Sequence, residues 1–180
     1  MLQLPDHFKL FNLTPQFGLD TAELDRAYRG VQAQVHPDRF ASGTASEGRV
    51  AMQWATLANE AYRTLKSPLK RAAYLCELAG TPIDAESNTS MPAMFLTRQL
   101  EWREALDDAR TSRNRSALQT LQDGMAVERD RLLGEIARAL DVDADHLLAA
   151  SLVRQLMFIE KFASEISAAF EAQRGNHASA

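Results

Sequence analysis

His36, Pro37 and Asp38 set an imidazole and a carboxylate on either side of a proline, between two stretches of helical hydrophobic spacing. Those two groups could form an acid–base pair, but a solvent-facing turn offers little burial to tune their proton affinities, and no second catalytic group accompanies them. Read as a surface, the tripeptide joins Arg26, Arg29 and Arg39 in a basic patch ending in a loop, which suits an acidic protein partner. The single cysteine, Cys76, stands beside Leu75 and Leu78 and reads as a small buried hydrophobe. One thiol makes no internal disulfide and cannot hold an iron–sulfur cluster, which normally takes four thiolates. The four histidines are scattered. Metal-ligand spacing, a phosphate-cradling glycine loop and a Gly-x-Ser-x-Gly elbow are all missing from the sequence, so no enzyme activity, no cofactor and no metal site are expected.

A second pattern lies between Met94 and Ala109. At ~100° per residue, Phe95, Trp102, Leu106 and Ala109 gather on one side of a helix, and Leu96, Leu100, Glu104, Thr97, Asp108 and Glu101 on the other. Two leucines beside three carboxylates make either a strip covered by a neighbouring helix or a docking stripe with an apolar anchor and an acidic rim. Phe158, on the flank of the last helical segment, is placed to extend such a stripe.

The elements that position these residues are helical throughout, since no stretch keeps the period-2 alternation of a strand. A short segment over Asp6 to Asn12 comes first. Asp20, with Glu23 in capping-box register, opens a helix whose apolar face is Leu24, Tyr28, Val31 and Val35, and Pro37 ends it. A small-residue loop over Ala41 to Ser46 leads to a helix with Val50, Trp54, Leu57, Ala61 and Leu65 on its stripe. Ser67-Pro68 starts a further helix that Gly80 stops. Thr81 to Pro92 reads as a linker, and three longer helices follow. Leu118, Leu121, Met125, Leu132 and Ile136 line one of them, weakened by Gly124 and Gly134, and Leu148, Leu152, Leu156, Ile159, Ile166 and Phe170 line the last.

The chain of 180 residues carries a formal net charge of −4, unevenly spread. Residues 1–76 hold nine Lys/Arg against seven Asp/Glu, and residues 77–180 hold eleven against seventeen. That balance argues against a nucleic-acid partner and for a different partner at each half. No apolar run approaches the ~20 residues of a membrane span, and the start lacks signal-peptide features, so a cytoplasmic protein is expected.

The His-Pro-Asp loop between antiparallel helices, followed by LANEAYRTLKSPLKRAAYL from Leu57 to Leu75, resembles the J-domain co-chaperones. The runs FLTRQLEWREALDD and LMFIEKF narrow the resemblance to the HscB-type J-domain co-chaperones of iron–sulfur cluster assembly. The resemblance implies an all-α, L-shaped molecule with a J-domain over residues 1–76 and a connecting helix end and linker over 77–90. A C-terminal three-helix bundle over 91–172 and a disordered tail over 173–180 complete it. It implies that His36, Pro37 and Asp38, supported by Arg26, Arg29 and Arg39, dock on a specialised DnaK-type chaperone (HscA) and stimulate its ATPase. It assigns Leu96, Thr97, Leu100, Glu101, Glu104, Asp108 and Phe158 to binding the cluster scaffold protein (IscU), which the bundle delivers to the chaperone. Thr97 stands where relatives carry a larger residue such as Met, and Asp108 stands for a longer Glu; both shrink the patch. The absence of an N-terminal tetracysteine element points to a bacterial, cytoplasmic member. A monomer is expected, and a general J-domain co-chaperone with a different client is the alternative.

Overall fold

The structure, a computed structural model, describes residues 5–35, 44–83 and 91–175. Among them every regular element is an α-helix: α1 (His7–Leu10), α2 (Thr21–Val35), α3 (Ala45–Lys66), α4 (Pro68–Leu78), α5 (Ala93–Thr111), α6 (Arg115–Asp141) and α7 (His146–Gly175).

Local chemistry sets most of the boundaries. The Asp6, Ser67 and Asn114 side chains accept the N–H of Lys9, Lys70 and Ala117, satisfying donors that the helix starts leave open. Asp20 accepts the N–H of Ala22 at 2.8 Å. The reciprocal capping box forms at the start of α3, where the Thr44 hydroxyl accepts the Glu47 N–H and Glu47 accepts the Thr44 N–H. The helix therefore begins inside the segment expected as a loop up to Ser46. At the end of α4, Gly80 takes a positive φ of 74° while the Thr81 N–H reaches back to the Cys76 carbonyl at 2.9 Å, closing the last turn.

Two apolar clusters organise the molecule. Phe8, Phe11, Leu13, Leu24, Ala61 and Leu65 form the smaller one, between α1, α2 and α3. The buried stripe of α3 consists of Ala51, Ala58, Ala61 and Leu65, with Trp54 and Leu57 only half-buried and Val50 exposed. Ala61 and Leu65 fall on the expected stripe, whereas Ala51 and Ala58 are buried in place of Val50, Trp54 and Leu57. The larger cluster joins α5, α6 and α7 through Phe95, Leu106, Leu118, Met125, Leu132, Ile136, Leu156, Ile159, Phe162 and Ile166.

Helix α4 belongs to both. Its Ala72 and Cys76 are fully buried in the larger cluster, Tyr74 packs on the smaller one, and Leu75 touches each. The loop before α2 adds a second tie. Phe17 is buried in the larger cluster beneath the Arg71 guanidinium, 5.1 Å from its ring centroid, and its N–H donates to Asp141 at the end of α6.

Candidate functional site

Two surfaces at opposite parts of the chain carry the residues singled out above. The first is the outer face of α2, where Arg26 and Arg29 are exposed. The inner face of α2 is fixed to α3 by a small polar and aromatic lattice. Tyr28 stacks on Tyr62 with centroids 4.2 Å apart, and the Tyr28 hydroxyl donates to Asn59 Oδ1 at 2.7 Å. Asp25 accepts from Lys66 Nζ at 2.6 Å and from the Tyr62 hydroxyl at 3.0 Å. These two bonds, Lys66 first, hold the Asp25 carboxyl below the ordinary carboxylate range. With Asp25 held inward, the neighbouring Arg26 and Arg29 face solvent. His36, Pro37, Asp38 and Arg39 lie outside the described residues.

The second surface is the outer face of α5. Leu96 is 45% exposed and Leu100 64% exposed, so no neighbouring helix covers them in the described structure. Thr97, Glu101, Glu104 and Asp108 are exposed beside them. Exposed Met94 adds apolar area at the start of the helix, and exposed Asp107 adds a carboxylate. Solvent-facing leucines one turn apart on an acidic helix face have the anatomy of a docking stripe, with an apolar centre and a charged rim.

The opposite face of α5 explains why this stripe is held steady. Phe95 and Leu106 are buried against the bundle. Arg98 spans to α6, where Glu128 accepts it at 3.3 Å, and its guanidinium lies 4.8 Å from the Trp102 ring centroid. Glu128 is almost fully buried and also accepts from Arg131 at 2.7 Å and 3.1 Å. The Arg131 hydrogen bonds, with Arg98 adding charge, keep its carboxyl below the usual range despite burial.

Phe158 stands at the seam between α5 and α7 and is half-buried. Its ring meets Phe95 edge-on at 5.8 Å and stacks on Trp102 at 6.2 Å and Phe162 at 5.6 Å. The Arg103 guanidinium covers it at 5.6 Å from the centroid. The ring thus sits at the edge of the α5 face, packed on Phe95 and Trp102 and overlain by Arg103. Sequence reasoning passed over that residue, although its spacing of three from Leu100 and seven from Leu96 on one helix was the available signal.

Among the described residues no group of three or more His, Cys, Asp or Glu could hold a metal ion. Cys76 is buried, which pushes its thiol up to about 11, so it stays protonated and is neither a nucleophile nor a ready thiolate ligand at neutral pH. Among the described residues no helix is long and apolar enough to cross a membrane.

Comparison with known proteins is consistent with that geometry. Residues 91–167 match the family model described as the HSCB C-terminal oligomerisation domain. A co-chaperone protein HscB homolog of Burkholderia multivorans is 54% identical over 172 residues, covering 95% of this chain and 98% of the relative. A homolog of the same name from Paraburkholderia phymatum is 52% identical over 165 residues, covering 92% and 94%. Among solved structures, chaperone HscB from Vibrio cholerae superposes with a TM-score of 0.80 at 32% identity, covering 94% of this chain and 99% of that one. Human co-chaperone protein HscB superposes with a TM-score of 0.85 at 27% identity, covering 92% and 82%.

Proposed function

The chain belongs to the HscB co-chaperone family, a J-domain followed by a C-terminal helical bundle, and from that premise we propose that it works as a two-ended adaptor in iron–sulfur cluster assembly. One end recruits a DnaK-type chaperone of the HscA kind through His36, Pro37 and Asp38, with Arg26, Arg29 and Arg39 supplying the positive charge that steers an acidic surface into place. The other end binds an IscU-type scaffold through Leu96, Thr97, Leu100, Glu101, Glu104, Asp108 and Phe158. The cluster on the scaffold is cargo and is held by the scaffold's own ligands.

Stimulation of ATP hydrolysis is then allosteric. The chain supplies no group to phosphoryl transfer; it binds one conformation of the chaperone better than the other and shifts the equilibrium by that difference, a coupling of ~1–3 kcal/mol in typical systems. Holding the scaffold on the same chain raises its local concentration at the chaperone, so docking at either end favours docking at the other. The adaptor acts as a monomer in the bacterial cytoplasm, and residues 1–76 and 91–172 carry the two docking roles.

The observation that supports this reading most directly is the exposed pair Leu96 and Leu100 on the acidic face of α5, in a family of co-chaperones. The test is steady-state ATP hydrolysis by an HscA-type chaperone, with this chain and the IscU-type scaffold added singly and together. Stimulation by the chain that rises further with scaffold is the expected result. Stimulation indifferent to scaffold would leave a J-domain co-chaperone with another client, and no stimulation would overturn the proposal.

A further inference from the structure

We propose that Arg103 is the positioning residue of the α5 docking face. Its guanidinium, lying over the Phe158 ring, secures the outer side of that ring beside the Leu96–Leu100 stripe and keeps N–H donors free for an acceptor on the scaffold. The inference rests on the reading of α5 as the scaffold-binding face.

Phe158 comes from α7, whereas both leucines come from α5; Phe95 and Trp102 of α5 hold the inner side of the ring across the seam, and its outer side needs a partner at the solvent edge. Phe95, Trp102 and Phe162 pack on the ring within the bundle, and all three belong to the aromatic and apolar interior. Arg103 is an exposed residue, and its guanidinium covers the same ring at 5.6 Å from the centroid. On α5 it falls one turn after Leu100 and two turns after Leu96, along the edge that faces α7. Its position therefore bridges the two parts of the stripe.

The chemistry of the side chain fits the task. A guanidinium over an aromatic face is attracted by the ring without using its N–H groups as hydrogen bonds, so its five donors stay available to an acceptor at the side. A lysine would make a point contact with the ring and present no plate.

Charge sharpens the inference. Arg103 is surrounded along the helix by the exposed carboxylates Glu101, Glu104, Asp107 and Asp108, yet it forms no ion pair among the described residues. Asp107, one turn further on and the natural partner by spacing, lies 3.7 Å from Arg110 instead. An acidic face alone would accept any basic partner. A cation at its edge selects against a uniformly basic surface and in favour of one that carries a carboxylate or a free backbone carbonyl at the matching place.

The test is isothermal calorimetry with the IscU-type scaffold on the full-length chain. The variants are Arg103→Ala, Arg103→Lys, Phe158→Ala, the double variant Arg103→Ala/Phe158→Ala, and Leu96→Ala as a control. Arg103→Ala is expected to weaken binding by roughly three- to tenfold, with Arg103→Lys recovering only part of the loss. The double variant should bind more weakly than Phe158→Ala but lose less than the sum of the two single losses, because the part of the Arg103 contribution that acts through the ring is counted only once. The ring resonances of Phe158 should move in free Arg103→Ala while the melting temperature holds, which a general structural defect would not produce. Wild-type affinity in Arg103→Ala alongside weakened binding in Leu96→Ala would overturn the proposal, as would strictly additive losses. Wild-type affinity in Leu96→Ala would remove the reading of α5 on which it stands.

Discussion

Asp141, in the last turn of α6, and Phe17, in the loop before α2, are joined across 124 residues of sequence by a 2.7 Å hydrogen bond from the Phe17 N–H to Asp141 Oδ1. The adjacent Gly18 N–H donates to the second oxygen, Oδ2, also at 2.7 Å. One carboxylate thus receives two consecutive amides, and a Cβ on Gly18 would stand 3.2 Å from Oδ2. Removing the carboxylate leaves the half-buried Phe17 N–H without its acceptor. Asp141→Ala should cost about 2 kcal/mol, a fall of about 4–8 °C in melting temperature. Asp141→Asn should not restore it, because an amide has only one acceptor oxygen for two donors. Differential scanning calorimetry, with hydrogen exchange at Phe17 and Gly18, measures both effects; unchanged melting in Asp141→Ala would show that the clamp is slack.

Glu128 links acid stability to the seat of α5. Its carboxyl sits below the ordinary value of 4.5 because Arg131 and then Arg98 favour the ionised form. A group depressed on folding contributes stability that is complete above its unfolded value and is lost as the pH falls through its folded value. Melting temperature should therefore be insensitive to this group from pH 7 to about 5 and decline below about 4.5. Glu128→Gln should start lower at pH 7 and show a shallower acid decline. Parallel curves for the two proteins would exclude the residue from the acid response.

Leu96→Ala combined with Leu100→Ala should weaken scaffold binding by ~2–4 kcal/mol if the pair forms the centre of the interface. Both side chains are exposed in the free protein, so the melting temperature should stay within about 1–2 °C of wild type. Titration calorimetry that returned wild-type affinity would rule out the stripe as the anchor.

His36→Gln should abolish stimulation of the chaperone ATPase and leave scaffold binding and thermal stability as they are. A destabilised variant would identify the imidazole as a structural turn residue.

The glycines separate by position. Gly80 holds a positive φ of 74°, so Gly80→Ala should cost ~1–2 kcal/mol although no atom stands within 4 Å of the added carbon. Gly134 is exposed in the interior of α6 with equal space around it, and Gly134→Ala should stabilise by ~0.5–1 kcal/mol. Chemical denaturation of the two variants should therefore shift the midpoint in opposite directions.

How much of this was legible in the sequence follows from the range of each cause. The helices of both halves could be read because their signals are local: Ser67-Pro68 at the start of α4, Gly80 at its end, and the spacing of Leu118, Met125, Leu132 and Ile136 along α6. The exposed side of α5 could be read for the same reason, since Phe95 and Leu106 declare the inner face and leave Leu96 and Leu100 outside. The start of α3 was missed although Thr44 and Glu47 spell a capping box, because the small residues around them suggested a loop. The buried stripe of α3 was read correctly at Ala61 and Leu65 and misjudged at its start, because ranking by hydrophobicity favours Val50 over the buried Ala51 and Ala58. The Asp141–Phe17 contact had no local signature, and although spacing put Arg103 beside Leu96 and Leu100, nothing local showed that it lies over Phe158. Each depends on chain segments brought together only by the fold.

The sharing of α4 between the two apolar clusters bears on any attempt to dissect the protein. A truncation ending before α4 would strip Tyr74 and Leu75 from the first cluster, and one beginning after it would strip Ala72 and Cys76 from the second. Whichever fragment keeps the helix keeps an orphaned oily flank. The two apolar clusters are thus coupled through one helix, and the described residues should melt in a single cooperative step.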